Sequence, residues 1–333
     1  MYELKSGDYY TAIILGICNC IVGSCTYPAL ALIQKNINEN LVQFMTSFGI
    51  VCGTLIAEVF FAKLSKNHAI PVIMLMFLIS VFLIFFLSSY QSNLAKAFAL
   101  LSFSWNFSVQ MLLFIVELGY LSKYIKSNPN TFSLTVLLSL NQLGFIFGPL
   151  FLNIKLWQYA ILYIIVIWIS IIVTWRFEVE PRFFANISEL KKNTTLPFSV
   201  FSISFYSFGA VLASYDIIAE NNSDKFTSQF IMFSMTLGYV IGSSIITILI
   251  NKSQFSLAFI ILGLSTIGYI FIIPFGFENY LYCATGVIGC SLGMIENINI
   301  RIIIVNSLRP EFFIGLFYFQ TYVLHGAFVI FYK

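Results

Sequence analysis

Long apolar stretches separated by short polar breaks run along almost the whole chain. Eleven of them reach the roughly 20 residues that a helix needs to cross a lipid bilayer: 10–33, 42–62, 70–90, 95–121, 132–153, 156–175, 197–219, 228–250, 255–275, 281–305 and 312–332. The breaks between them, such as 35–40 and 220–224, are rich in amides and charged groups. This pattern predicts an all-α polytopic membrane protein with 11 transmembrane helices.

The composition agrees with this pattern and excludes several classes of protein. Of the 333 residues, 59% are hydrophobic and 9% are charged, whereas a soluble domain has about 25% charged residues. An ordinary globular enzyme and a nucleic-acid-binding protein are therefore excluded. We expect no metal ion or other cofactor, because the chain has two histidines and no Cys or His pair at a ligand spacing. No nucleophile motif or phosphate-binding glycine loop indicates an enzyme.

The basic residues predict how the helices are oriented. If the N-terminus is cytoplasmic, 12 of the 17 Lys and Arg residues fall on the cytoplasmic side and five on the outer side. This asymmetry agrees with the positive-inside rule. We therefore expect a multi-pass protein in the lipid bilayer of a bacterial inner membrane, with its N-terminus in the cytoplasm.

The spacing of the stretches indicates two halves related by a repeat. The longest polar break, 176–196, is expected to be a cytoplasmic linker between a six-helix bundle (1–175) and a five-helix bundle (197–333). Residues 48–56 of the second stretch resemble residues 237–245 of the eighth, which aligns Gly49 with Gly238. Repeats of this kind are common in transporters. The same alignment places a partner for the sixth stretch beyond Lys333, so we expect the chain to lack a twelfth helix.

Four short motifs stand in the order and spacing of motifs in a known transporter family. They are YPALALI at 27–33, GFIFGP at 144–149, ASYDIIAE at 213–220 and RPEFFIG at 309–315. On these motifs the sequence resembles the drug:proton antiporters of the bicyclomycin/chloramphenicol-resistance type, within the major facilitator superfamily. The resemblance covers the whole chain. It implies a fold of two bundles in which helices 1, 4, 7 and 10 line a central cavity, with transport by alternating access.

The chain also departs from the pattern of that family. Lys66 follows the second helix where the family has an aspartate, and the region of Asn106 in the fourth helix lacks the family's arginine. Ser24 replaces an acid that is common in the first helix of these antiporters. We therefore do not expect proton coupling by the family's usual route.

Acidic residues inside predicted helices are candidates for a solute or proton pathway, because a charge in the bilayer costs roughly 2.5–3.5 kcal/mol on insertion scales. Glu296 is the deepest, about 13 Å along its helix from Val305. Glu117 and Asp216 are expected about one turn from the ends of their helices. The expected pathway for a small-molecule substrate and protons comprises Glu296, Asn106, Gln110, Glu117, Asn299 and Asp216.

Several of these residues lie on one face of the fourth helix. Asn106, Gln110 and Glu117 form a polar stripe at helical spacing. Extending the alignment of Gly49 with Gly238 along the chain sets Glu296 opposite position 107, which predicts that Glu296 and Asn106 lie at similar depth. Such a cavity suits an amphiphilic or weakly cationic solute. The alternatives are that Glu296 forms a structural ion pair with Arg301, and that the amides only hold helices together.

Pairs of glycines one turn apart mark helix faces that allow close approach. Gly144 and Gly148, followed by Pro149, are expected to form a kinked gate or interface between the two halves. Gly49 and Gly53 have the same spacing, and plain helix packing is the alternative for both pairs. The spacing recurs in Gly238/Gly242 and Gly289/Gly293.

Three functions remain open at this point. The first is a secondary active transporter that exports a small organic solute, such as a drug, a metabolite or a siderophore, driven by proton entry. The second is a nutrient-uptake symporter of the same fold. The third is a truncated relative without transport activity.

Overall fold

The computed structural model describes residues 7–34, 37–63, 66–88, 90, 92–127, 132–147, 225–251, 277–307 and 310–332. In these ranges the chain is almost entirely helical. They are α1 (Gly7–Gln34), α2 (Glu39–Lys63), α3 (Lys66–Leu87), α4 (Asn93–Ser127), α5 (Ser133–Phe147), α6 (Lys225–Asn251), α7 (Phe277–Asn306) and α8 (Pro310–Tyr332). We call α1–α5 the first half and α6–α8 the second half.

These helices coincide with the apolar stretches of the sequence. Helices α1–α5 match the first five stretches, and α6, α7 and α8 match the eighth, tenth and eleventh. By length and composition, α1–α4, α6 and α7 can each cross a membrane. The prediction of an all-α polytopic fold is confirmed. The other three stretches and the linker at 176–196 lie outside the described residues, so the number of 11 helices and the domain boundaries stay predictions.

Local polar groups define where several helices begin. The Asn38 side chain accepts a hydrogen bond of 2.9 Å from the backbone amide of Asn40 at the start of α2. Ser92 accepts one of 3.2 Å from the amide of Ala95 at the start of α4. Such caps satisfy amides that have no partner inside the helix. Helix α8 begins with Pro310, whose fixed backbone angle suits the first position of a helix.

The helices pack in pairs, and the two halves share one apolar core. In the first half α1 packs on α5, and α4 packs on α2 and α3, while in the second half α6 packs on α7. The halves meet where α2 packs on α8 and α5 on α6. Phe77 of α3, Leu112 of α4, Ile303 of α7 and Phe317 of α8 are all buried in the shared core. The core therefore ties the two halves together around α4 and α7.

Glycines set the two main crossings. A side-chain carbon on Gly49 or Gly53 of α2 would collide with the backbone carbonyl of Ser104 or Ser108 of α4. In the second half, Gly238 of α6 meets the backbone of α7 in the same way. The same holds for Gly242 on α6, and for Gly289 and Gly293 of α7 against α6. These contacts agree with the packing interpretation of the glycine pairs.

Gly144 of α5 makes a close contact with α1. A side-chain carbon there would lie 2.6 Å from the carbonyl oxygen of Cys20 on α1. Gly144 therefore lies against another helix of the first half. Gly148 and Pro149 lie outside the described residues, so their role as a gate stays a prediction.

The crossings also correct the alignment of α4 with α7. Gly49 meets Ser104 and Gly238 meets Gly286 in the same geometry, so Gly286 of α7 corresponds to Ser104 of α4. We call this correspondence the crossing alignment. It differs from the ungapped repeat because Gly238 and Gly286 are closer in sequence, by seven positions, than Gly49 and Ser104. Glu296 then corresponds to Phe114, and the expectation that it pairs in depth with Asn106 is wrong.

Candidate functional site

Glu296 lies on α7, between two tyrosines from neighbouring helices. Its two carboxylate oxygens accept hydrogen bonds from the hydroxyls of Tyr239 on α6 and Tyr318 on α8. Both tyrosines are buried, whereas Glu296 is only partly buried. Hydrogen bonds to an ionised group are about twice as strong as neutral ones. The two phenols can therefore hold an anionic carboxylate inside the bundle without a basic partner.

Each tyrosine also contacts the first half. The Gln142 side chain of α5 interacts with the Tyr239 hydroxyl. The ring of Phe114 on α4 packs edge-on against Tyr318, with 5.8 Å between ring centroids. Glu296, which belongs to the second half, is thus linked to the first half through each of its two tyrosine partners.

The ion pair considered for Glu296 is not formed. Arg301 instead donates hydrogen bonds to Asn297 (2.6 Å) and to Thr247 on α6 (3.0 Å). Residues 296 and 301 are five positions apart, which places them about 140° apart around a helix of 3.6 residues per turn. The two side chains therefore leave α7 on different faces.

Glu117 lies ten residues before the end of α4, which continues to Ser127. Its side chain is 0% exposed. One carboxylate oxygen accepts a hydrogen bond from the Asn19 amide on α1, and among the described residues the other oxygen, Oε1, has no hydrogen-bond partner. The surrounding helices therefore shield this carboxyl group from solvent.

The structure brings Asn106 and Gln110 together, but away from both acids. Asn106 donates to Ser80 on α3 (2.8 Å), and its side-chain oxygen accepts from Thr26 on α1 (3.4 Å). Gln110 donates to Thr26 and, at 3.3 Å, to Asn106. These contacts lie inside the first half and join α1, α3 and α4. They agree with the alternative in which the amides hold helices together.

Two predicted pathway residues remain, Asn299 and Asp216. Asn299 is fully buried on α7, and neither of its amide atoms has a hydrogen-bond partner among the described residues. In the crossing alignment it corresponds to Glu117 of α4. Asp216 lies outside the part of the chain that the structure describes.

Sequence reasoning missed a polar cluster around Asn297 that joins the halves. Its amide donates to Ser243 on α6 (2.6 Å) and to Thr135 on α5 (3.0 Å), and its oxygen accepts from Arg301. Thr135 and Thr247 are 2.5 Å apart, hydroxyl to hydroxyl. The signals for it were Asn297 and Arg301 one turn apart on α7, and Ser243 and Thr247 one turn apart on α6.

A second contact between the halves lies towards the other end of the helices. Ser47 of α2 and the Nδ1 atom of His325 on α8 are 2.7 Å apart. Ser47 is eight residues after the start of α2 and His325 seven residues before the end of α8. Polar contacts between the halves therefore occur on both sides of Glu296 along the bundle.

Metal binding has no candidate site in the ranges given above, where no three His, Cys, Asp or Glu side chains come together.

Three comparisons with known proteins bear on the fold. No family model matches the sequence, and no curated protein matches it either.

A solved structure does match. The chain is similar to the crystal structure of FucP, a major facilitator superfamily transporter, in the outward conformation, with a TM-score of 0.68. The match covers 96% of this chain and 89% of that one, at 13% sequence identity. The chain therefore has the fold of the major facilitator superfamily transporters, as the resemblance of the motifs implied.

Proposed function

We propose that this protein is a secondary active transporter that exports a small organic solute by alternating access, driven by proton entry. The observation that carries the proposal is the position of Glu296. Its tyrosine partners on α6 and α8 each contact a residue of the first half. A solute bound there touches both halves at once, which is what a transporter of this fold requires.

The contacts around Glu296 supply a mechanism for binding. The carboxylate takes its two hydrogen bonds from phenols rather than from a basic group that would compete with a solute. The rings of Phe114 and Phe317 lie against Tyr318, so the site combines one negative group with aromatic surface. Such a site suits an amphiphilic or weakly cationic solute, because aromatic faces attract cations.

The contacts between the halves supply a mechanism for access. Separation of the halves at one end breaks the Ser47–His325 contact, and separation at the other end breaks the Asn297–Thr135 contact. Opening on either side of Glu296 therefore breaks one of these contacts and separates the packed faces of α2 and α8 or of α5 and α6.

The direction of transport and the coupling ion rest on the four motifs shared with drug:proton antiporters. In this proposal the protein lies in a bacterial inner membrane with its N-terminus in the cytoplasm. Protons then enter the cell as the solute leaves it.

The test compares cells that express the wild-type chain, Glu296→Gln and Tyr282→Phe. Tyr282→Phe is the control, because it removes only a hydroxyl from an exposed side chain of α7. Accumulation of a panel of fluorescent dyes and antibiotics is measured with and without a protonophore. We expect low accumulation in the wild type and in Tyr282→Phe, and high accumulation in Glu296→Gln and in all cells treated with the protonophore. Equal export by Glu296→Gln and the wild type, at matched amounts in the membrane, would contradict the role of Glu296.

A further inference from the structure

Glu117 is a second carboxyl group inside the helix bundle, and its surroundings differ from those of Glu296. It is fully buried, whereas Glu296 is partly exposed. It accepts one hydrogen bond, from the amide of Asn19, whereas Glu296 accepts two from phenols. In the described part of the chain its Oε1 atom has no partner. A buried oxygen without a hydrogen-bond partner costs more on a charged carboxylate than on a neutral carboxylic acid.

The described titratable groups beside Glu117 do not stabilise a negative charge. Cys18 of α1 is close enough to interact with its charge. Glu311 of α8 lies against Gly119, two residues further along α4, and is itself acidic. The basic side chain of α7, Arg301, is held by Asn297 and Thr247 instead. An ionised carboxylate buried without a cation is strongly destabilised, so in this arrangement the neutral acid is the stable form.

We infer that Glu117 is the residue that binds the exchanged proton, while Glu296 binds the solute. The inference rests on the proposed transport function. Glu117 takes its proton from water on the outer side, holds it on Oε1 while the site is closed, and gives it to water on the cytoplasmic side. One proton enters on the carboxyl group in each cycle, and no other bond changes.

The helix that carries Glu117 also reaches the solute site. Phe114 lies three residues before Glu117, hence on the same face of α4, and its ring packs against Tyr318. Tyr318 in turn donates to Glu296. A shift of α4 that opens Glu117 to water therefore also moves the aromatic ring that supports the solute carboxylate. This chain of contacts gives the two sites a physical connection.

The repeat gives the proton site no counterpart at the equivalent position of the second half. Asn299 stands at that position of α7 and is equally buried. An amide cannot exchange a proton at neutral pH, so α7 offers no equivalent group there. The proton and the solute are therefore assigned to different halves.

The first experiment measures protonation directly, without transport. Infrared spectra of the purified full chain in lipid vesicles are compared for the wild type, Glu117→Gln and Glu296→Gln. We expect the carbonyl stretch of a buried protonated carboxyl group at neutral pH in the wild type and in Glu296→Gln, but not in Glu117→Gln. A band that persists in Glu117→Gln would overturn the inference.

The second experiment separates coupling from binding, with the fluorescent cation ethidium as the probe. Vesicles containing Glu117→Gln should exchange internal for external ethidium as fast as the wild type, but should lose accumulation driven by a pH gradient. Glu117→Asp, which keeps a carboxyl group, should restore gradient-driven accumulation in part. Wild-type accumulation by Glu117→Gln would overturn the inference. If the wild type exchanges no ethidium, the proposed function fails for that probe, and the infrared band alone decides whether Glu117 holds a proton.

Discussion

Helices α2 and α4 of the first half cross at positions equivalent to those where α6 and α7 cross in the second half. The two crossings differ in how closely the helix backbones approach each other. In the first half glycines lie on α2 alone, and the side chains of Phe107 and Met111 on α4 pack against them. In the second half Gly289 and Gly293 occupy the positions of Phe107 and Met111 on α7, opposite the glycines of α6. The second crossing therefore brings two backbones together without side chains between them.

The same comparison separates the chemistry of the halves. Glu296 corresponds to Phe114, and Glu117 corresponds to Asn299, so neither carboxyl group has an acidic counterpart at the equivalent position of the other half. The shared crossing fixes where the helices lie, and substitutions on it decide which half binds what. A repeated scaffold thus supports two different sites.

The contacts between the halves also differ at equivalent positions of the repeat. Glu311 at the start of α8 lies against Gly119 of α4, whereas Thr135 near the start of α5 binds Asn297 of α7. Gly119 corresponds to Arg301 in the crossing alignment. At equivalent positions near the same end of the bundle, the first half therefore presents a bare helix surface and the second half a hydrogen-bonded cluster.

The largest effect is expected where the close crossing is disturbed. Gly289→Ala should destabilise the protein by about 1–3 kcal/mol, because the added methyl group collides with the backbone carbonyl of Met235. Gly286→Ala, one turn away, is the matched control: its nearest neighbour is the Ser234 hydroxyl at 3.2 Å, which can move. Thermal unfolding in detergent should show a clearly lower midpoint for Gly289→Ala alone. Equal midpoints for both variants would show that the crossing is looser than described.

The next effect separates the two amide clusters. Asn297→Val removes the hydrogen bonds that Asn297 donates to Ser243 and Thr135 and the one that it accepts from Arg301. We therefore expect the free energy of unfolding to fall by about 1–3 kcal/mol. Asn106→Val should cost a similar amount, since Asn106 is equally buried. Only Asn297→Val should also change the transport rate per folded molecule, because its cluster joins the halves. Transport rates that fall equally in both variants would contradict this distinction.

The smallest effect concerns the donors to Glu296. Tyr318→Phe keeps the ring contact with Phe114 but removes one hydrogen bond to the carboxylate. Solute affinity should change by about tenfold, which corresponds to roughly 1.4 kcal/mol. Tyr282→Phe, on the exposed part of α7, should leave binding unchanged. A solute titration of both variants measures this, and identical affinities would remove Tyr318 from the site.

The helices and the glycine packing could be predicted from the sequence because both depend on patterns along a single segment. The end of α4 could not: the fourth apolar stretch ends at 121, but the helix continues through Lys123 and Lys126 to Ser127. Lysines near a helix end can extend to the interface while their stems stay against apolar surface. A pattern of apolar residues therefore underestimates the length of such a helix.

The partners of the acids could not be predicted either. Tyr318 and Asn19 are ordinary residues of apolar helices. The hydrogen bonds from Tyr318 to Glu296 and from Asn19 to Glu117 depend on how four helices are rotated against one another. The crossing alignment depends on connection lengths that differ between the halves. A pattern along one chain carries neither kind of information.

The measurement that tests the account most directly is uptake of ethidium into vesicles that contain only this protein, driven by an imposed pH gradient. The comparison is between the wild type, Glu296→Gln and Glu117→Gln. The account predicts gradient-driven accumulation in the wild type alone, with ethidium exchange retained in Glu117→Gln and lost in Glu296→Gln. Accumulation and exchange at wild-type rates in Glu296→Gln would contradict the central claim that the solute binds at Glu296 between the halves.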